Sequence, residues 1–484
     1  MALPGLSLPG LGPSPSASAA TPLTGAAPIA QAAAPRLEIL SPQSEWRFEC
    51  SFSQRYSIKL ESGHAEMFGV ELALKQTYTF SGCKGAIFTW QGCQLEISGN
   101  AESEYAGQET DYAVEWLNVH GLLEAMRVPG RPEGPRVLVV GPDFVGKSSL
   151  VQSLASWAVR SAKGPIVVNL DPREGLLAPP SSLTAVTLDA AMDVENGYGI
   201  GPMSGPTVSP MRTPLIYHFP YASPAEKPEI YKSVITRMAL SVTNRLEENA
   251  TTKSSGVIID TPGALNDPRS NYELIAHIIS EFSINVVLTI GSERLASDMT
   301  RRFGGNKSPD EAIQVLRITK PGGAVERDNE FMKQLRAQQI RQYFFGSSKE
   351  SLNPRSHYVA FTEVDIFRAK SAHVAAAEDD SFGPGVDDDD YDVPYASKPA
   401  ATVVYEKTSP IAAMAGSVVA IKFCPGGSDQ QTIRDSAVMG FLYIAEVDET
   451  KKRYRFLAPH PQRWGDRALV WGHGFPEAVG DIVT

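Results

Sequence analysis

Nine consecutive residues, Gly141-Pro-Asp-Phe-Val-Gly146-Lys147-Ser148-Ser149, hold the most specific chemistry in this 484-residue chain. They fill every fixed position of G-x-x-x-x-G-K-[ST], a loop that binds phosphate. Glycine lets the backbone wrap a phosphate so that successive N–H groups point inward, and the following helix adds its positive end. Lys147 would reach the β- and γ-phosphates, and the Ser148 hydroxyl would ligate Mg²⁺. The flanks agree. The β-branched run Arg136-Val-Leu-Val-Val140 precedes the loop and a helix-like segment, 149–159, follows it. A chance Gly/Ser turn would not need both flanks, so the pattern points to a nucleoside triphosphate.

Two carboxylates sit at strand ends, where α/β proteins place ligands. Asp171 follows Ile166-Val-Val-Asn-Leu170, and Asp260 closes Gly256-Val-Ile-Ile-Asp260. Either could orient a Mg²⁺ water, and Asp171 could instead accept a proton from an attacking hydroxyl. The plain alternative for each is an Asp capping a turn. Asp260-Thr-Pro-Gly263 also matches the D-x-x-G element of GTPases. Guanine selectivity there needs N-K-x-D, and Asn306-Lys-Ser-Pro-Asp310 has the wrong spacing. Arg294, on a basic helix after the strand 286–290, reads equally as a lid arginine over phosphates or as part of a solvated face.

The elements that must position these residues follow from periodicity. Between 134 and 345 strands alternate with helical segments, the α/β signature of a parallel sheet. This predicts a central domain over 129–346, with helices near 271–282 and 329–343 and a long loop over 196–228. Residues 36–128 show period-two alternation broken by Gly, predicting a small β-sandwich or barrel that ends in a short helical run, 119–126. Strand patterns return over 347–484, a mostly β domain interrupted by an acidic insertion at about 376–400, which reads as solvated chain. Residues 1–35 are an Ala/Pro tail with too little apolar surface to fold.

A net charge of -11 and a pI near 5.4 argue against a broad basic footprint for nucleic acid, so any RNA contact must be local or made through partners. Cys50, Cys83, Cys93 and Cys424 form no C-x-x-C pair, which disfavours zinc and a disulfide framework and suits reduced thiols in an intracellular protein. No run approaches a membrane span and no secretory signal is visible, so a soluble protein with no membrane partner is expected.

The ordered motifs resemble one family, the eukaryotic, fungal-type polynucleotide-kinase-like subunit of the pre-mRNA cleavage and polyadenylation machinery. They are Glu45-Trp46, Gly69-Val-Glu-Leu-Ala73, the phosphate loop, Asn169-Leu-Asp-Pro172, Asp260-Thr-Pro-Gly263, Ser292-Glu-Arg-Leu295, Lys320-Pro-Gly-Gly-Ala-Val-Glu-Arg327 and Gln339-Ile-Arg-Gln-Tyr-Phe-Phe-Gly346. The resemblance implies three domains, with ATP between the N-terminal and central ones. It implies that Glu45 and Lys84 contact adenine, although composition alone places both at the surface. It implies that Phe144, Val145, Gly146, Lys147, Ser148 and Ser149 hold the phosphates and Mg²⁺. It further implies nuclear residence, a scaffold subunit that binds the RNA polymerase II tail, other cleavage and polyadenylation subunits, and RNA met through the complex.

Members of the family divide into RNA 5′-hydroxyl kinases and proteins that hold ATP without turning it over. Three positions depart from the active pattern. Ala264 replaces a tryptophan that stacks on the RNA base, a contact worth about 1–3 kcal/mol. Glu174 stands where the active D-x-x-Q-G has an amide, and a carboxylate there would repel phosphate. Phe144 replaces an aspartate. The expectation is therefore an ATP-holding subunit required for 3′-end cleavage and assembly. The alternative is an active polynucleotide 5′-hydroxyl kinase using Asp171, Lys147 and Arg294.

Overall fold

The strand Arg136–Val140 is buried at every residue, and its period-two alternation feeds two different cores. Val137 and Val139 face the helices Lys147–Arg160 and Asp111–Met126 through Leu150, Leu154, Trp116 and Leu123. Leu138 and Val140 face the helices Pro228–Glu248 and Glu273–Glu281 through Tyr231, Val234, Ile275 and Ile278. A strand covered on both faces must be apolar throughout, which is why it reads as a continuous run. The computed structural model describes residues 34–127, 133–195, 214–304, 313–347, 351–369, 405–461, 464–472, 474–480 and 482. Most of the N-terminal tail, residues 128–132 where the first two domains meet, the string 306–310, the acidic insertion and residues 196–213 lie outside them.

Among the described residues the central sheet has seven strands, in the order Leu215–His218, Ser182–Thr187, Ile166–Asn169, Val257–Asp260, Arg136–Val140, Val286–Ile290, Gln314–Ile318. The last five run parallel, and the first two add an antiparallel edge. The sheet is therefore mixed rather than wholly parallel. The strand Leu215–His218 also falls within the segment expected to be loop. Pairing to a neighbouring strand, not local propensity, makes it extended.

The N-terminal residues form two facing sheets, of four and five strands among the described residues. Phe48, Tyr56, Ile58, Phe80, Ile87 and Leu95 fill the space between them. The helix that follows is longer than the expected run: Asp111–Met126 has 16 residues and lies on the central sheet. The C-terminal residues build a fourth sheet, whose Phe441 and Tyr443 pack on Tyr343 and Phe344 of the helix Asn329–Phe345. All four cysteines are free thiols, Cys83 partly exposed and the others buried. No helix among the described residues is long and apolar enough to cross a membrane.

Candidate nucleotide site

The phosphate loop joins the end of Arg136–Val140 to the helix Lys147–Arg160. Gly146, the residue that caps this helix, has φ +93°, a left-handed conformation that glycine adopts without strain. No side chain caps the first turn, so its leading N–H groups are available to an anion. Phe144 also has positive φ, +58°, which is rare for a bulky residue. Val145 is buried against Gly291, so it offers the loop backbone only. Lys147 is buried, and its Nζ donates to the Pro142 carbonyl at 2.5 Å.

The Ser148 hydroxyl lies near enough to the Asp260 carboxylate to favour its ionised form. Burial pushes the Asp260 carboxyl up to about 7, with Lys147 and Ser148 pulling the other way. A serine hydroxyl beside a strand-end carboxylate is a donor set that fits Mg²⁺, which keeps most of its shell as water and phosphate oxygens. The described residues contain no cluster of three or more His, Cys, Asp or Glu arranged for a metal.

Asp171 is engaged differently. Its Oδ1 accepts from the Arg173 backbone N–H at 2.9 Å and from Arg173 Nε at 3.4 Å, and its Oδ2 accepts from Arg173 Nη2 at 3.2 Å. The same guanidinium grips Asp143 of the phosphate loop with Nη1 at 3.1 Å and Nη2 at 2.5 Å. Asp143 in turn accepts from the Gly263 N–H at 3.0 Å. Three strand-end loops are thereby tied at one arginine. Desolvation works against its charge, but Asp171 and Asp143 hold the Arg173 proton well above the ordinary arginine range. Burial opposes ionisation of Asp143, yet Arg173 keeps it below the usual carboxylate range.

A cavity of about 250 Å³ lies between this loop and the N-terminal sheets. Phe144, Gly146, Ser148 and Ser149 line it from below, and Glu45 and Lys84 from the opposite side. Glu45 is fully buried, contrary to the composition-based expectation, because Ser44–Cys50 pairs on both edges, with Phe88 and Gly107 opposite Glu45. Its carboxylate accepts from Arg47 and from the Tyr112 hydroxyl. Lys84 is only partly exposed: its Nζ pairs with Glu49 at 2.7 Å and donates to the Glu326 carbonyl at 3.2 Å. Trp116, on the cavity wall, is buried with its indole N–H unpartnered.

The side chain of Arg294 takes one of its two readings, and one expectation, for Glu174, needs correction. Arg294 does not join the site: its side chain is 76% exposed and faces Asp298, one turn along its own helix, at 3.8 Å. This is the solvated-face reading. Glu174 does line the cavity, but it pairs with Arg327 at 2.5 Å, so its charge is compensated rather than free to repel phosphate. Ala264 lies beside Gly263 in the short helical turn Gly263–Asn266. Arg173, Tyr112 and Trp116 escaped sequence reasoning, and Arg327 was named only as the end of the motif 320–327, with no role. Arg173 had a signal as well, its place two residues after Asp171.

The fold and this loop together define a three-domain protein built on a P-loop, kinase-like central domain. Three family descriptions match in chain order: "N-terminal beta-sandwich domain of polyadenylation factor" over residues 39–129, "mRNA cleavage and polyadenylation factor CLP1 P-loop" over 141–346, and "Pre-mRNA cleavage complex II protein Clp1" over 352–477. The mRNA cleavage and polyadenylation factor clp1 of Botryotinia fuckeliana is 43% identical, over 99% of this chain and 100% of that one. The corresponding factor of Phaeosphaeria nodorum is also 43% identical, with the same coverage. Among solved structures, a Clp1p–Pcf11p complex superposes with a TM-score of 0.78 at 25% identity, covering 90% of this chain and 97% of that one. The chain belongs to the Clp1 family of mRNA cleavage and polyadenylation factors.

Proposed function

We propose that this cleavage and polyadenylation factor holds Mg²⁺–ATP in the cavity between its N-terminal and central domains, does not turn it over, and serves 3′-end cleavage by assembly. The observation that carries this reading is the engagement of Asp171. Both of its oxygens accept from Arg173, so the carboxylate best placed to take a proton from an attacking hydroxyl is already occupied. Lys147 and the loop N–H groups would hold the phosphates, and Ser148 and Asp260 would hold the metal. Bound Mg²⁺ would supply charge neutralisation on the phosphate oxygens. Glu45 and Lys84 would meet the base.

The 25% identical solved relative is a complex with Pcf11p. By that likeness the expected partner is a Pcf11-type scaffold subunit, which the family resemblance links to the RNA polymerase II tail. Other cleavage and polyadenylation subunits, contact with RNA through the complex, and a nuclear location belong to the same reading. An active 5′-hydroxyl kinase is the second reading, and the intact Lys147, Ser148 and Asp260 arrangement favours it. Purified protein loaded with γ-labelled ATP and Mg²⁺ and given excess 5′-hydroxyl RNA separates the two. Label that stays on protein-bound ATP over hours supports the holding role, and label that moves to RNA overturns it.

A further inference from the structure

We infer that residues 319–328 form a strap that retains the nucleotide, with Arg327 and Glu174 as its latch. This rests on the proposal that the cavity holds ATP.

The segment joins the strand Gln314–Ile318 to the helix Asn329–Phe345 without helix or strand of its own, turning through a bond from the Ala324 N–H to the Pro321 carbonyl at 3.1 Å. Pro321, Gly323, Ala324 and Val325 form one wall of the cavity. The strap is pinned on two sides. On the central domain, Arg327 pairs with Glu174 at 2.5 Å, both side chains being largely shielded at 19% and 16% exposure. The same guanidinium lies 5.3 Å from the centre of the Phe144 ring. On the N-terminal domain, the Lys84 ammonium donates to the Glu326 carbonyl, and Gly323 sits so close to Arg47 that a Cβ there would lie 2.9 Å from Nε.

A nucleotide in the cavity is thus enclosed by one piece of chain anchored to two domains, and the strap must lift before it leaves. The Arg327 contact also accounts for two departures from the active-kinase pattern together. Glu174 supplies the charge that fixes Arg327, and Phe144, held with its ring under the guanidinium, supplies the cation–π face. Removing one member of a shielded ion pair leaves the other uncompensated, so the closed strap loses its advantage over the open one.

The test is release of a fluorescent N-methylanthraniloyl ATP from the full-length protein, chased with excess ATP in Mg²⁺. Glu174→Gln and Arg327→Ala are expected to speed release about tenfold or more. The exchanged pair, Glu174→Arg with Arg327→Glu, is expected to recover much of the retention. Thermal melting without nucleotide confirms that each variant is folded. Release from folded Glu174→Gln within twofold of the unsubstituted protein overturns the latch alone. An unsubstituted protein that takes up no nucleotide overturns both the latch and the holding role.

Discussion

Arg173 is bonded to two carboxylates on different loops, a task that requires a planar, forked cation. Arg173→Ala would leave Asp143 and Asp171 unpaired in a largely buried setting, at a cost of about 3 kcal/mol in unfolding free energy. Arg173→Lys should recover less than half of that, because one ammonium cannot satisfy both partners. Urea denaturation midpoints of the three proteins check this. Lys147→Ala should abolish ATP binding and the stability that comes with it, about 4 kcal/mol at a thousandfold excess over Kd. Bound-nucleotide content and melting with and without ATP would show it. At this scale the sequence was legible where function rests on local backbone, as in Gly141 to Ser149. It was poor for side-chain direction. Nothing local places Arg294 on an outer face or Glu45 on an internal strand, because both follow from which neighbours cover them.

The strap and the strand Ser44–Cys50 meet at Gly323, and the fit there is steric. A methyl at this position would meet Arg47 at 2.9 Å and Glu45 Oε1 at 3.3 Å, atoms of buried side chains with little room to move. Gly323→Ala is therefore expected to weaken nucleotide binding about tenfold, whereas Gly427→Ala, with nothing within 4 Å of the added carbon, should match the unsubstituted protein. Isothermal titration with ATP and Mg²⁺ distinguishes them. Strands covered on both faces were legible from sequence as apolar runs. The antiparallel strands Ser182–Thr187 and Leu215–His218 were not, since both lie close to Pro- and Gly-rich sequence and owe their conformation to pairing. The helix Asp111–Met126 was half seen, because its buried face is shared with another helix and the sheet and shows weak amphipathic contrast.

Four sheets share the described residues, and the joint between the central and C-terminal ones buries a charge. Lys422 is fully buried, and among the described residues its Nζ reaches only the Arg434 carbonyl, at 3.5 Å. Burial pulls its pKa down to about 8, against the attraction of Asp435 and the influence of Cys424, while buried His218 lies near enough to feel its charge. The unfolded chain keeps this lysine protonated to about 10.4. Between pH 8 and 10.4 the unfolded state therefore binds more protons, and stability from this group rises with pH. The penalty is full below pH 8. Lys422→Met is accordingly expected to stabilise the protein by about 2–3 kcal/mol at pH 7 and by much less at pH 10, as read from denaturation curves at the two pH values. The three-domain plan was legible because its motifs lie in chain order, while this joint was not, since it brings together residues from 218 and 422. The cavity spans the chain in the same way, with walls drawn from Glu45 through Gln342. During synthesis the phosphate loop leaves the ribosome on the order of ten seconds or more before the strap does. If the strap retains the nucleotide, a newly made chain would pass through a stage in which it could touch a nucleotide but not keep one, and loading would become lasting only after residue 328 has emerged.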